Sequence, residues 1–492
     1  MTSLSTENRD LPSVIIVGAG LGGLLLAILL DRIGIEYTVL ERSAVFRSLG
    51  SAMAMGPHLL PVFEQLGMLK ELQDISLECH TMLQFDEHLT AMGEVLMKGQ
   101  KELTGYDNII FLRPDFHRLL LSKISSERII NNKRVLKIEE PEDAPDKVRV
   151  TCADNSVYEA DMVIGADGTY SAVRQNMYRL LEESGKLPKP DKEPMGIGYT
   201  CMVGITGPVD PEKYPELKDD FTHFRSVVGG VRHNWGAISQ KGNRFSWSAN
   251  IQFASQAEAQ RQQFMNSEWG PESNKEMIKE FHSRPNPFGG TMGDFIDATP
   301  PELISKVFLE HKMFKTWYHG RSVLIGDACH KMLPSAGQGA VNAMQDAVIL
   351  ANCFYDLKDK SAKSITEAFE SFYSQRYERA KDAYNLSQMV SKIMLGQSWS
   401  DRLMRTVLLK YLPHSVQQRQ YEKAALYRPQ IMFLPLTKNK GSVAPLPQKP
   451  CQSHEDYHED DHEDDHEDHY EDDHEDHYGH DYEEVDRGYH DD

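Results

Sequence analysis

Three short segments of this chain combine small residues and carboxylates in ways that suit phosphate and polyol binding: Gly18-Ala19-Gly20-Leu21-Gly22-Gly23, Gly165-Ala166-Asp167-Gly168, and Gly326-Asp327 followed by Pro334 and Gly337-Gln338-Gly339. The first has the spacing of a dinucleotide loop. Gly18 suits a tight turn, Gly20 a close backbone approach to a pyrophosphate, and Gly23 close packing of a helix on a strand. Glu41 follows 18 residues after Gly23. A carboxylate there can accept hydrogen bonds from ribose hydroxyls and would repel a 2′-phosphate, which favours FAD or NAD over NADP. Arg42 beside it either lies along an adenine or is a surface charge. In the second segment Asp167 sits in a turn, with Ser171 and Arg174 close behind. In the third, Asp327 can accept hydrogen bonds from a sugar-like chain. Gly337, Gly339 and Ala340 then lead into a helix whose positive end faces whatever lies above the loop.

The elements around these segments are those the chemistry requires. Residues 13–17 and 36–40 are apolar enough for strands, and Leu21–Ile33 between them is helical with Gly34 as its stop, so the chain opens as a βαβ unit. Leu59–Leu66 and Phe116–Ile124 read as further helices, and 133–164 as strands closing on Met162-Val163-Ile164. From about Pro194 to Val307, short runs of Tyr, Phe, Trp, Val and Thr alternate with Gly and Pro, the texture of an antiparallel sheet. Val323-Leu324-Ile325 restores the earlier style, and long helices run from Ala340 to about Tyr411. A nucleotide-binding fold is thus interrupted by a β-rich insertion and completed later.

Charge excludes one class of partner. The net charge is −21, but residues 451–492 hold 21 Asp/Glu against one Arg, leaving 53 acids and 52 bases in the rest. The body has no basic excess, so nucleic acid is not an expected partner. Six scattered cysteines without a CxxC pair indicate a reducing, cytoplasmic setting. No secretory signal precedes Ser13, and no uninterrupted apolar run reaches membrane-spanning length. Residues 391–412 mix apolar side chains with Lys392, Arg402, Arg405 and Lys410. The reading favoured there is an amphipathic helix packed on the body, with peripheral membrane contact as the alternative.

Taken together, the three segments resemble the group A, single-component FAD-dependent monooxygenases. These include salicylate hydroxylase-like aromatic hydroxylases and the epoxidases and hydroxylases of fungal secondary metabolism. The resemblance covers roughly residues 12–400. It implies an α/β fold: a Rossmann-like FAD-binding domain of the glutathione-reductase type, with an inserted antiparallel β-sheet substrate domain and C-terminal helices. The implied organisation is 1–190 for the first part of the FAD-binding domain, 191–310 for the substrate domain and 311–435 for the completion and C-terminal helices. A linker at 436–450 and a disordered His/Asp/Glu-rich tail at 451–492 follow.

By the same resemblance, Gly18, Gly20, Gly23 and Glu41 hold the ADP half of FAD. Asp167 belongs to a fingerprint linked to FAD and NAD(P)H, and Asp327 holds the ribityl chain. Arg113, in Phe-Leu-Arg-Pro-Asp-Phe-His, matches an arginine near the pyrophosphate and flavin. Gly337, Gly339 and Ala340 form the loop under the flavin ring, and Ala54 falls where the backbone passes the cofactor. The positive end of the helix at Ala340 would stabilise the anion of reduced flavin. NAD(P)H is the implied co-substrate, binding transiently because no second dinucleotide loop exists. O₂ would react to give a flavin C4a-hydroperoxide that hydroxylates or epoxidises a small aromatic or polyketide/terpenoid substrate.

No catalytic residue stands out. His330 reads as a structural ring beneath the third loop rather than a base. Tyr199, Met202, Phe224, Trp235, Phe245 and Trp247 are candidates for lining a dry pocket, though core positions are favoured for most. Arg232 and His233 could meet an acidic or phenolic substrate. The histidines of the tail could gather a divalent metal, but a solubilising or protein-contact role is favoured, and no metal site is expected. The motifs leave open the oligomeric state, the substrate, and hydroxylation versus epoxidation. Two alternatives stand beside the monooxygenase: an FAD-dependent reductase or dehydrogenase without oxygen transfer, and a non-catalytic flavoprotein scaffold with an acidic interaction tail. A flavin halogenase is disfavoured because its Trp-x-Trp-x-Ile-Pro signature is absent.

Overall fold

The computed structural model describes residues 10–451, apart from 47–49, 231, 256, 260, 262–273, 397, 412–421 and 424. The acidic tail from 452 onward, including its histidines, lies outside the described residues.

Two sheets organise the chain. The first has six strands in the order Tyr318–His319, Ser322–Leu324, Met162–Gly165, Val14–Val17, Tyr37–Leu40, Ile129–Ile130. All neighbours are parallel except the first pair. Val14–Val17 and Met162–Gly165 are buried at every position, as strands covered on both faces must be. Helices Leu21–Ile33 and Gly339–Tyr355 pack together, and Leu24 to Leu30 of the first are all buried in one large core. A three-stranded antiparallel sheet, Val135–Glu139, Val148–Cys152 and Val157–Ala160, feeds the same core.

The second sheet has ten strands. Its centre is Gly196–Ile205, Arg244–Gln252, His233–Gln240 and Phe221–Val228, as the β-rich texture predicts. It also takes up Ala52–Met55, Ser76–Asp86 and Ile109–Leu112 from the first part of the chain. This sheet is therefore not built from 191–310 alone. One face packs Met202, Trp235, Phe245 and Trp247 against Phe281 and Phe295. These two come from helices Lys275–His282 and Met292–Asp297. The opposite face carries Tyr199 and Cys201, packed with Leu309 and Leu333.

Residues 436–450 are not a free linker. The Ser442 and Val443 N–H groups bond the Glu102 and Leu103 carbonyls at 3.0 and 2.9 Å, and Lys440 pairs with Glu64 at 2.5 Å. Cys451, at the end of this strap, is buried. The Lys/Pro/Gly composition carries no apolar period, so attachment through backbone bonds left no sequence signal.

Candidate functional site

Four parallel strands end side by side, and each releases one piece of the site. Val14–Val17 leads into Gly18, Tyr37–Leu40 into Glu41, Met162–Gly165 into Asp167, and Ser322–Leu324 into Gly326 and Asp327. In open parallel sheets the crevice beyond the carboxyl ends of the strands is where ligands bind.

Within the first loop the glycines have different causes. Gly18 has φ +105°, and its N–H bonds the Leu40 carbonyl at 2.9 Å. A Cβ there would lie 2.5 Å from the Ala166 carbonyl oxygen, so the first and second segments touch. A Cβ on Gly23 would lie 2.2 Å from the Gly18 carbonyl oxygen. The chain's own packing demands both. Gly20 is different: its φ is −76°, and the nearest atom to a Cβ would be 3.9 Å away. At Gly339 the nearest is Asp327 Oδ1 at 4.0 Å. Nothing among the described residues requires glycine at 20 or 339. Both stand at helix N-termini, where an outside group drawn to free N–H donors would need the room.

Glu41 accepts the Ala19 N–H at 2.9 Å through Oε2 and the Ser43 N–H at 2.8 Å through Oε1. Its carboxylate is thereby fixed at the rim of the glycine loop, with acceptor capacity left on each oxygen. Arg42 is exposed and makes no side-chain hydrogen bond among the described residues.

His117, to which the sequence motifs assign no role, donates from Nε2 to the Ala19 carbonyl at 2.8 Å. Ala19 is therefore held at both its N–H and its C=O. Burial pulls the His117 pKa down, against the hydrogen bond to Ala19. The available signal was its spacing: four residues after Arg113, it shares that residue's face on helix Arg113–Leu121.

Arg113 opens that helix, and its N–H bonds the Ser51 carbonyl at 3.1 Å. The side chain is exposed to solvent yet crowded by surrounding protein. That crowding lowers its pKa, and the nearby Asp327 carboxylate opposes the shift. Asp327 also forms an ion pair with Lys331. Ala54 lies half-buried on the edge strand Ala52–Met55, opposite Ile110. Just before that strand, the Ser51 hydroxyl meets that of Ser246 in the large sheet at 2.9 Å. Ala340 is half-buried in the first turn of helix Gly339–Tyr355, and Gly337 has φ +65° in the turn before it.

Asp167 caps helix Ala172–Glu183, accepting the Ala172 N–H at 2.6 Å through Oδ2. Its Oδ1 is buried and has no partner among the described residues. Burial pushes this carboxyl's pKa up. A bare buried acceptor costs about 1–3 kcal/mol, which a hydroxyl donor on a bound molecule would recover. Ser171 provides the other cap, and Arg174 ties the turn to the third loop through the Thr169 and Ala328 carbonyls, each at 2.7 Å.

Beneath the third loop lies a fully buried ionic network. Asp346 accepts the Gly326 N–H at 2.9 Å and His330 Nε2–H at 2.5 Å through one oxygen, and Arg376 Nε–H at 2.7 Å through the other. Arg376 continues to Asn342 Oδ1 at 2.8 Å and the Tyr427 hydroxyl at 3.0 Å. His330 is thus a structural ring, packed on Trp317 with centroids 5.3 Å apart. Cys329, His330 and Asp346 lie close enough to suggest a metal cage. Asp346 is engaged in these three bonds, His330 Nε2 in one of them, and the Cys329 thiol with the Leu324 and Gly326 carbonyls, while His330 Nδ1 is buried without a partner among the described residues. Desolvation raises the Asp346 pKa, but the neighbouring Arg376 and the hydrogen bonds from His330 and the Gly326 N–H outweigh it and hold the carboxyl at about 2.

Of the proposed pocket liners, Met202, Trp235, Phe245 and Trp247 belong to the core on the far face of the sheet. Tyr199 lies on the opposite face with Cys201, Leu309 and Leu333. Arg232 is paired with Glu258 at 2.8 Å and His233 with Glu280 at 2.5 Å.

The convergence of loops has a counterpart among known proteins. The family described as FAD binding domain matches residues 12–188 and 223–387. The chain belongs to this family. The bare Asp167 oxygen, the unconstrained Gly20 and Gly339, and the two helix N-termini fit an FAD-binding domain, since they offer an acceptor for a hydroxyl and donors for phosphate. Similar curated proteins include the FAD-dependent monooxygenase esdpE of Penicillium shearii, 28% identical over 444 residues covering 86% of each chain. Another is the FAD-dependent monooxygenase spyC of Aspergillus fumigatus, 29% identical over 419 residues, 81% of this chain and 83% of that one. Among solved structures, Klebsiella pneumoniae HpxO complexed with FAD and uric acid superposes with TM-score 0.67 at 22% identity, covering 85% of this chain and 97% of that one. That likeness establishes the FAD-binding fold. No helix among the described residues is long and apolar enough to cross a membrane.

Proposed function

We propose that this FAD-dependent monooxygenase draws electrons from NAD(P)H and passes one oxygen atom of O₂ to a small aromatic or polyketide/terpenoid substrate, by hydroxylation or epoxidation. The observation that carries the reading is the meeting of Gly20, the bare Asp167 Oδ1, Asp327 and the Gly339 helix start at one crest. The curated relatives support the oxygenase assignment by their names. Bound FAD would supply hydride acceptance and O₂ activation; the protein's task is placement, electrostatics and water exclusion.

In this reading Gly18, Gly20, Gly23 and the Leu21–Ile33 N-terminus seat the pyrophosphate, and Glu41 takes the ribose hydroxyls. Arg42 stays at the surface near the adenosine end. Arg113 faces the phosphates, and Asp327 and Asp167 accept from the ribityl side. The Gly337–Ala340 turn aims its N–H groups at the pyrimidine edge of the ring, with Ala54 passing nearby. His117 positions Ala19, and the Asp346 network positions Asp327. The sheet face of Tyr199, Cys201 and Leu309, with Leu333 of the third loop, forms an apolar wall that keeps water from the reacting centre. Domain boundaries at 190, 310 and 435 and a cytoplasmic setting belong to the same proposal.

The deciding experiment feeds ¹⁸O₂ and NAD(P)H to the purified protein with a panel of phenolic, polyketide and terpenoid compounds. Substrate-stimulated NAD(P)H oxidation with label in product supports the monooxygenase. NAD(P)H oxidation that returns all oxygen as H₂O₂, with no label in any product, overturns it in favour of a reductase.

A further inference from the structure

Large apolar side chains left exposed are concentrated in one place. Leu386 and Met389 on helix Ala362–Leu395, and Trp399, Leu403, Met404 and Val407 on helix Trp399–Tyr411, account for six of the thirteen such residues described. Trp399 is the extreme, 79% exposed. On the second helix the spacing 399, 403, 407 defines one outward stripe.

The stripe is not the by-product of a loosely attached helix. Its inward side is fixed: Arg405 is buried and donates to the Ile393 and Met394 carbonyls at 3.2 and 3.0 Å. Asp401 is also buried, and its N–H bonds the Ser398 hydroxyl at 3.1 Å. Leu395, just before the turn, packs against the cluster of Tyr199, Cys201, Leu309 and Leu333. The patch therefore sits directly outside the apolar wall assigned above to the substrate side.

Charge narrows the choice of occupant. Between 386 and 408 the exposed charged residues are Lys392 and Arg402, the latter also donating to the Gly230 carbonyl at 2.8 Å. The only acid in that stretch, Asp401, is buried. Apolar side chains with a tryptophan, flanked by cations, match an anionic bilayer surface: the apolar stripe enters the headgroup boundary and the cations meet the phosphates. A second copy of the chain is a poorer match. In a twofold interface the patch would face itself, and that stretch offers no exposed acid to pair with Lys392 and Arg402.

We propose that helices Ala362–Leu395 and Trp399–Tyr411 form a docking face for an anionic membrane surface. The inference goes beyond the oxygenase reading and does not depend on it.

The test is co-sedimentation of the full-length FAD-loaded protein with vesicles of phosphatidylcholine alone and of phosphatidylcholine mixed with phosphatidylserine. The expected result is binding to the mixed vesicles, weakened by salt, and reduced at least about tenfold, some 1.4 kcal/mol, in a Trp399→Ser/Leu403→Gln/Val407→Gln variant. All three side chains point to solvent, so that variant keeps the wild-type circular dichroism and FAD content, and a folding failure would be visible there. Exposed Lys392→Gln alone should lower binding to the mixed vesicles by a smaller factor. Absence of vesicle binding overturns the proposal, as does binding that the triple substitution leaves unchanged. A concentration-dependent dimer that the triple substitution dissolves, without vesicle binding, overturns it in favour of self-association.

Discussion

Asp346→Asn is the perturbation whose effect the structure constrains most. In the native protein one carboxylate oxygen receives two donors, Gly326 N–H and His330 Nε2–H, and the other receives Arg376 Nε–H, all without solvent. An asparagine oxygen can replace only one side. If it keeps Gly326 and His330, its amide N–H₂ faces Arg376 donor to donor, and the guanidinium loses its buried countercharge. Removing one partner of a buried pair costs about 3–5 kcal/mol. The loss should appear as a lower guanidinium midpoint with little change in slope. It should be accompanied by weaker FAD retention, because Gly326 precedes Asp327 and its N–H is then unanchored. Replacing both partners, Asp346→Leu with Arg376→Leu, should recover part of the stability without restoring FAD retention, since the Gly326 anchor is still missing. A single mutant with wild-type midpoint and wild-type FAD occupancy would refute the claim that this network holds the third loop.

Two further outcomes follow from the same geometry. The folded Asp346 pKa of about 2 lies below the unfolded carboxylate value of about 3.9, so protons bind the unfolded chain more readily. Its contribution is fully present above pH about 4 and is lost as pH falls through about 2, with roughly 1 kcal/mol gone by pH 3. The stability gap between wild type and Asp346→Asn should accordingly narrow between pH 5 and pH 3. Asp327→Ala should weaken FAD retention about tenfold, the equivalent of one charge-assisted hydrogen bond. Removal of 452–492 should leave retention unchanged by visible absorbance after gel filtration; equal loss in both would contradict the assignment of cofactor binding to the body.

Much of the candidate site's arrangement is legible in the sequence because its signals are local. The glycine spacing, Glu41 at a strand end and the Gly326-Asp327 pair each follow from one strand and one turn, and parallel pairing then brings them together without further information. What escaped depends on side chains meeting across the fold. His117 reaches Ala19 across 98 residues of sequence, and Arg376 finds Asp346 from another helix. The spacing of His117 from Arg113 marks a shared helix face but not Ala19, and an arginine within a helix carries no mark of a partner such as Asp346. Trp235 and Trp247 could not be assigned to one sheet face by composition, because alternation names two faces without saying which meets helices Lys275–His282 and Met292–Asp297. The recruitment of Ala52–Met55, Ser76–Asp86 and Ile109–Leu112 into the large sheet was hidden for the same reason: strand pairing between distant segments has no local signature. Residues 436–450 look like a linker by composition and are a strap by backbone hydrogen bonding.

If FAD lies against the loop crest, the glycines there separate its binding from ordinary packing. Gly23→Ala must displace the Gly18 carbonyl and should destabilise the fold with or without cofactor. Gly20→Ala meets no atom closer than 3.9 Å, so the cofactor-free protein should keep its stability to within about 1 kcal/mol, the size of an ordinary surface change. The measurement is the FAD dissociation constant of Gly20→Ala, by flavin fluorescence, beside the melting curve of its cofactor-free form. The expected result is unchanged melting with FAD affinity reduced at least about tenfold, some 1.4 kcal/mol. Wild-type affinity in that variant would contradict FAD binding at that crest.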